Sequence, residues 1–197
     1  MTGVQTCALP ILAVARRVLE HAPHKVIISA LRRDEAEGAV AELLAAGVPE
    51  GTSVVAEWGN IFVPDPLKDR PREEVLADPE SRALLLDDLL GELTDDVVRR
   101  SALGTLLDRH KPELVVDCIN TATAFAYQNM FASGLALREA AHAGRVDAEA
   151  VERHLATLYL PQLIRHVQIA LEAMRRAGTR LYIKVGTSGT GGMGLNI

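Results

Sequence analysis

Four short groups of small, polar or basic residues each follow an apolar run, and they are the main candidates for binding chemistry. They are Arg32-Arg33, Gly59-Asn60-Ile61, Asn120-Thr121-Ala122 and Gly186-Thr187-Ser188. Glycine lets a backbone approach a ligand closely, and arginine neutralises a phosphate. Amide and hydroxyl groups supply hydrogen bonds. A nucleotide crevice needs this combination of groups.

The four apolar runs are typical of buried parallel strands. They span Lys25–Leu31, Thr52–Glu57, Leu114–Ile119 and Arg180–Val185. Segments with helical periodicity lie between them, which favours parallel strands joined by helical crossovers. Ligands bind at the carboxyl ends of strands in open sheets of this kind. We therefore predict an α/β fold with an incomplete doubly wound, Rossmann-like parallel sheet.

The intervening segments predict the helices and their ends. The helices are expected at Leu12–His21, Asp34–Ala46, Ser81–Leu90, Asp95–His110, Asn129–Ala143 and Asp147–Ala177. Gly47 and Gly178 are expected as C-terminal caps and Asp147 as an N-terminal cap. Pro161 predicts either a kink in the last helix or its true start. One apolar stripe in that helix is expected to face the core: Leu160, Leu163, Ile164, Val167, Leu171 and Met174.

Composition limits the class of protein. The chain has 197 residues, 48% of them hydrophobic and 4% aromatic, which favours one helix-rich domain. Its net charge of −5 argues against nucleic-acid binding. Asp65–Arg100 alone holds 11 acidic and 6 basic residues, a net of −5, and predicts a solvated acidic face. We expect neither a membrane span nor a disulfide between Cys7 and Cys118, and hence a cytoplasmic protein.

The first eleven residues differ in character from the remainder. Met1–Ile11, MTGVQTCALPI, is identical to one translated reading frame of a common sequencing adapter. We expect this segment to be non-native and the natural protein to begin further upstream. Residues 12–197 are then expected to form part of one domain, with a helical insertion at about 62–110.

Three stretches resemble a known family when they are taken in order. Gly59-Asn60-Ile61 stands where that family has a GD[IV] motif, and Lys111–Ala122, KPELVVDCINTA, is similar to its fourth strand. Ile169–Ser188, IALEAMRRAGTRLYIKVGTS, is similar to its next helix and strand. The chain thus resembles the short-chain dehydrogenase/reductase superfamily, in its extended, epimerase/dehydratase-like branch. The resemblance covers most of Leu12–Ser188.

The resemblance implies roles for individual residues. Ser188 would be the catalytic hydroxyl that hydrogen-bonds the reacting oxygen of the substrate. The cofactor would be bound by Asn60 and Ile61 at adenine and by Asn120, Thr121, Ala122 and Gly186 on the nicotinamide side. Arg32 and Arg33 precede Asp34 at the ribose end of a strand, which favours NADP over NAD, with NAD left open.

The chain also departs from the family pattern. Asn60 replaces the usual aspartate, and the segment Phe62–His110 is longer than usual. The glycine-rich fingerprint is expected before Leu12 and the Tyr-x-x-x-Lys pair after Ile197. None of the tyrosines in the sequence has a lysine four residues later.

The glycine-rich end of the chain has a second interpretation. Gly189–Gly194, GTGGMG, satisfies the G-x-G-x-x-G pattern after a strand and would then be a phosphate loop. Three strand–helix units precede it, whereas such a fingerprint normally opens the first. We therefore favour a strand-end loop that presents Ser188.

The expected activity is that of an NAD(P)-dependent oxidoreductase or a sugar-nucleotide epimerase/dehydratase-like enzyme. Hydride would pass between nicotinamide and a carbinol or carbonyl carbon of a small-molecule substrate. The alternatives are a non-catalytic NAD(P)-binding regulatory or scaffold module and a methyltransferase-like or other nucleotide-binding Rossmann relative. No metal is expected, since His21 and His24 have no third ligand at a suitable spacing. A homodimer is left open.

We expect the 197-residue chain to bind NADP(H) only weakly, because the fingerprint that would hold the pyrophosphate is expected upstream. Isothermal titration calorimetry measures this affinity directly. A submicromolar dissociation constant would contradict the expectation.

Overall fold

The computed structural model of the protein describes residues 8–119 and 130–185. The chain divides into two compact units, Met1–Asn60 and Ile61–Ile197, so the boundary falls within the Gly59-Asn60-Ile61 motif. Several predicted site residues lie outside the described residues: Asn120, Thr121, Ala122, Gly186 and Ser188.

The first unit is a parallel strand pair with two helices. Its elements are α1 (Ala8–Leu19), β1 (Lys25–Ala30), α2 (Arg33–Ala46) and β2 (Ser53–Trp58). The two strands pair from Lys25 opposite Ser53 to Ala30 opposite Trp58. Both strands and the intervening helix therefore match the sequence expectation to within one residue at each end. Gly47 ends α2 with a φ of 97°, as its predicted capping role requires.

The core of the first unit lies between its helices and β1. Its buried members are Leu12, Ala15, Leu19, Ile28 and Leu43, and Ile11 packs against them. Thus α1 begins inside the segment that resembles an adapter. Pro10 does not interrupt it, because backbone N–H groups in the first turn have no acceptor within the helix.

The second unit is mainly helical. After a 3₁₀ turn (Asp65–Leu67) it contains the following elements: α3 (Arg72–Ala77), α4 (Pro79–Leu90), α5 (Asp95–Arg100), α6 (Ala102–His110), β3 (Leu114–Asp117), α7 (Met130–His142), α8 (Ala148–Leu155), α9 (Tyr159–Ala177) and β4 (Leu181–Lys184). The sequence did not predict α3, since proline and charged residues surround it. The segment 62–110, which the sequence analysis interpreted as an insertion, is mainly helical.

Two long helical predictions are each divided into two helices. The first breaks at Ser101, whose extended backbone and hydroxyl cap α6 by accepting from the Gly104 N–H at 2.9 Å. Thr94 caps α5 in the same way. The second breaks after Leu155, and α9 then begins at Tyr159. Pro161 accordingly lies in the first turn of a new helix rather than at a kink.

Arginines tie the inserted helices to α8 and α9. Arg82 on α4 is only 4% exposed and donates to Glu152 on α8 at 2.8 Å and to the Leu76 carbonyl at 2.7 Å. Arg165 on α9 donates to the Leu89 carbonyl at the end of α4. Most acidic residues of the insertion are exposed, as predicted. Asp88 is an exception, because it is buried and paired with Arg100.

The strand pair of the second unit also agrees with the predicted parallel arrangement. Strands β3 and β4 pair in parallel, from Leu114 opposite Leu181 to Asp117 opposite Lys184. A mixed α/β structure with parallel strands is therefore confirmed. Within the described parts of the chain, however, the strands form two separate pairs rather than one four-stranded sheet.

The apolar stripe of α9 was expected in the core, and for its main residues this prediction is wrong. Leu160, Ile164, Val167 and Leu171 are each more than half exposed. The side of α9 that packs against α6 carries smaller residues, including Ala170, Ala173 and Ala177. Small side chains let two helix backbones approach closely, so tertiary packing here selects the alanine face.

The same substitution in two helices should have opposite effects on stability. At Gly104 an added Cβ would overlap the Val98 carbonyl oxygen and lie 2.7 Å from Ser101 Oγ, whereas Gly38 on α2 has open space. Gly104→Ala should reduce the free energy of unfolding by about 3 kcal/mol. Gly38→Ala should raise it by about 0.5–1 kcal/mol. Urea denaturation followed by circular dichroism measures both, and equal effects would contradict the packing described.

Candidate functional site

The carboxyl ends of β1 and β2 bring two predicted groups to one edge of the first unit. Ala30 and Trp58 are paired residues at the ends of the strands, and the Gly59 N–H donates to the Ala30 carbonyl at 3.0 Å. Gly59 is buried with a φ of 120°, a conformation that favours glycine. Arg32-Arg33 and Gly59-Asn60 therefore leave the strand pair side by side.

The two arginines stand at the start of α2 and are largely exposed. Arg33 places its guanidinium 4.9 Å from the centre of the Trp58 ring and pairs with Glu37 at 2.8 Å. Arg32 pairs with Asp34 and Glu35 at 3.3 and 3.2 Å. Exposed ion pairs of this kind contribute only about 0–1 kcal/mol. A phosphate that binds at this edge would therefore displace only weak ion pairs of the two arginines.

Asn60 and Ile61, which were predicted to contact adenine, belong to different units. Asn60 is partly buried and closes the first unit. Ile61 opens the second unit and packs against its core, beside Val98 and Leu103. Their roles at adenine stay predictions.

A polar cluster that the sequence analysis missed lies where β3 and β4 end. The Asp117 carboxylate accepts three hydrogen bonds, each of 2.8 Å, from Tyr182 Oη, from Lys184 Nζ and from the Ile119 N–H. Lys184 Nζ also donates to the Ile119 carbonyl at 2.5 Å. The Asp117 side chain is 12% exposed and that of Lys184 38% exposed. We call these four residues the strand-end cluster.

A signal for this cluster exists in the sequence. Both Asp117 and Lys184 are charged residues of opposite sign inside short apolar runs that were predicted to be buried strands. Buried charges are normally paired, so the two could have been matched with one another. Their pairing also required the register of β3 and β4, which the sequence did not predict.

The cluster changes the acid–base chemistry of its tyrosine. Burial and the hydrogen bond to Asp117 both raise the pKa of Tyr182 well above its ordinary value. Burial likewise raises the pKa of the neighbouring Cys118 thiol, with the Asp117 charge adding to the effect. Both groups hold their protons at neutral pH, so Tyr182 is a hydrogen-bond donor and a poor general base.

His166 on α9 is a partly buried histidine. Burial lowers its pKa to about 4, and the charges of Asp117 and Lys184 act on it in opposite directions. Its ring meets the Phe62 ring edge to face, with centroids 4.5 Å apart. The packing of an uncharged ring explains both observations.

A second polar cluster connects α7 with α8. Ser133 Oγ lies 3.0 Å from His154 Nδ1 and 3.2 Å from Thr157 Oγ1. The Ser133 hydroxyl is also positioned to donate to the Met130 carbonyl within its own helix. This arrangement satisfies polar groups between two helices and accounts for their contact.

Neither a metal centre nor a membrane-spanning helix is found among the described residues. Residues 8–119 and 130–185 contain no group of three or more His, Cys, Asp or Glu side chains placed to hold a metal ion. Every helix in these ranges falls short of the length and hydrophobicity that a membrane span requires.

The stability of the protein should fall as the pH is lowered from about 6.5 to about 4. The unfolded chain protonates His166 near its ordinary pKa of 6.5, whereas the folded chain does so only near 4. The unfolded state therefore binds more protons in this window, which costs up to about 3 kcal/mol of folding free energy. His166→Gln should reduce this loss, as measured by urea denaturation at several pH values.

The control for this experiment is His142→Gln, on an exposed position of α7. It should leave the pH dependence of the wild type unchanged. An unchanged pH dependence in His166→Gln would show that other groups cause the acid instability.

Known proteins do not add to the assignment of this site. Comparisons of the chain with protein families, with curated proteins and with solved structures found no match. The resemblance to short-chain dehydrogenases therefore stays a prediction, and the function has to be inferred from the residues and their geometry.

Proposed function

We propose that the chain belongs to an NAD(P)-binding enzyme of the short-chain dehydrogenase/reductase type, with NADP as the preferred cofactor. Its reaction would transfer hydride between nicotinamide and a carbinol or carbonyl carbon of a small molecule. The proposal includes a doubly wound, Rossmann-like parallel sheet.

One observation carries the proposal: Arg32-Arg33 and Gly59-Asn60 leave adjacent parallel strands at the same edge. Open α/β sheets bind nucleotides outside the carboxyl ends of their strands. Two guanidinium groups would meet a 2′-phosphate there, and the N-terminus of α2 adds a favourable dipole for an anion. Asn60 follows the neighbouring strand β2, and its amide would hydrogen-bond adenine.

Asp34 and Glu35 stand beside Arg32 and partly offset its charge. A carboxylate at this place would favour the ribose hydroxyls of NAD. The Arg33 guanidinium lies 4.9 Å from the centre of the Trp58 ring and pairs with Glu37 at 2.8 Å. Arg33 is thus the residue on which the preference for NADP should depend.

The catalytic step would use Ser188 to polarise the reacting oxygen, with proton transfer by a separate group. Tyr182 does not suit that second role, because its raised pKa keeps it protonated. Asn60, which stands where the family has an aspartate, favours the second candidate function, a non-catalytic NAD(P)-binding module. A Tyr-x-x-x-Lys pair in the complete protein would support the enzyme, and its absence would support the module.

Arg33→Ala should weaken NADP⁺ binding about ten-fold and leave NAD⁺ binding unchanged. The reason is the loss of one charge-assisted contact to the 2′-phosphate, worth about 1.4 kcal/mol at an exposed site. Quenching of Trp58, the single tryptophan in the chain, measures both affinities. The ³¹P resonance of the 2′-phosphate gives an independent measurement at millimolar ligand.

The matched control is Arg17→Ala, which removes another exposed arginine of the first unit that pairs with a nearby glutamate. It should affect neither ligand. If millimolar NADP⁺ and NAD⁺ both leave the fluorescence and ³¹P signals of the wild type unchanged, the proposed cofactor site is wrong.

A further inference from the structure

The Arg33 side chain is held on two sides, and its terminal nitrogens stay available. Its Cζ atom lies 4.9 Å from the centre of the Trp58 ring, and its Nε donates to Glu37 Oε1 at 2.8 Å. Among residues 8–119 and 130–185, this is the one hydrogen bond that the Arg33 side chain makes. Both terminal nitrogens, Nη1 and Nη2, can therefore still donate to a ligand.

Arg32 is engaged differently, although it is the adjacent residue. Its terminal nitrogen Nη2 lies 3.3 Å from Asp34 and 3.2 Å from Glu35. A phosphate group prefers two parallel hydrogen bonds from one guanidinium. At Arg32 it would compete with two carboxylates for the same nitrogen, whereas the carboxylate at Arg33 occupies a different atom. Arg33 thus presents the better bidentate donor.

The contacts of Arg33 reduce the cost of ordering it. Its side chain is 65% exposed, and a long exposed side chain without contacts samples many rotamers. Binding a ligand would then require that freedom to be lost, which weakens the affinity. A guanidinium that already lies over Trp58 and is bonded through Nε needs less ordering.

The charge of Glu37 acts in the opposite direction. A carboxylate close to the site repels a bound phosphate, and water and salt weaken this repulsion at an exposed position. The useful contribution of Glu37 is therefore its hydrogen-bond acceptor rather than its negative charge. A neutral acceptor of the same shape should serve equally well.

We infer that Glu37 is a positioning residue for phosphate recognition. Together with Trp58 it orients Arg33 so that Nη1 and Nη2 are presented to a phosphate monoester, which Glu37 itself does not touch. The inference rests on the proposed function, in which this group is the 2′-phosphate of NADP. All the residues that carry it belong to the first unit.

The test compares 2′,5′-ADP with 5′-AMP, which differ only in the 2′-phosphate and both lack nicotinamide. The wild type should bind 2′,5′-ADP more tightly. Glu37→Met removes the acceptor at similar side-chain length and helix propensity. It should weaken the binding of 2′,5′-ADP about three-fold, because the lost ordering outweighs the lost repulsion, and leave 5′-AMP unchanged. Calorimetry and the ³¹P resonance of the 2′-phosphate measure these affinities.

Two further variants separate positioning from charge and from stability. Glu37→Gln keeps the acceptor without the charge and should bind 2′,5′-ADP at least as tightly as the wild type. Glu42→Met is the matched control, because Glu42 lies on the same helix and pairs with Arg16. The side chains of both glutamates are 50% exposed. Glu42→Met should leave both affinities unchanged.

Nuclear magnetic resonance provides a readout that needs no ligand. The ¹⁵N order parameter of the Arg33 Nε–Hε group reports how firmly the side chain is held on the ps–ns timescale. It should fall in Glu37→Met and stay at the wild-type value in Glu37→Gln and Glu42→Met. An unchanged order parameter in Glu37→Met would overturn the inference, because Arg33 would then not depend on Glu37.

The binding outcomes distinguish the two levels of the argument. If the wild type binds neither compound, or binds both equally, the proposed NADP site fails and the inference fails with it. If the wild type prefers 2′,5′-ADP and Arg33→Ala abolishes that preference, the site stands. Wild-type affinity of Glu37→Met for 2′,5′-ADP would then overturn only the positioning role. Binding by Glu37→Gln as weak as that by Glu37→Met would do the same.

Discussion

The parallel pairing of β3 with β4 is the constraint on which the second unit depends. Parallel strands cannot be joined by a tight turn, so the chain between them has to cross over through helices before it returns. α9 makes the return, and its alanine face packs against α6 beside the partly buried Val115 of β3. The Asp117–Lys184 ion pair then joins the two strand ends across the register that this packing creates.

Arginine accounts for much of the remaining order in the second unit. The segment 62–110 is acidic overall, yet the buried Arg82 pairs with Glu152, and the exposed Arg100 pairs with the buried Asp88. Each pair has one buried member, Arg82 or Asp88, whose charge would lose its compensation if the partner were removed. Most acidic residues of this segment are exposed, and some of them pair with arginines at the surface, as Asp95 and Asp96 do with Arg99.

In the first unit the ends of two parallel strands are also linked, but by a different kind of interaction. Here the ends of β1 and β2 are connected by backbone hydrogen bonding at Gly59, and the charged residues stay outside, in exposed pairs and over Trp58. Exposed arginines keep most of their hydration and exchange partners readily, which suits a site that has to accept an anion. The partly buried carboxylate of Asp117 differs, since it already accepts hydrogen bonds from Tyr182, Lys184 and the Ile119 N–H.

The sequence by itself determined the four strands, most of the helices and their caps, because these depend on local patterns of apolar, glycine and capping residues. Thr94, Asp147 and Gly178 cap helices as their types predict. It also placed Arg32-Arg33 and Gly59-Asn60 at strand ends, although it could not show that those ends are adjacent. The exposed stripe of α9 and the pairing of Asp117 with Lys184 were decided only by the tertiary structure. Both depend on residues distant in the chain: the choice of the face that α9 buries depends on how closely α6 can approach, and the partner of a buried charge depends on strand register.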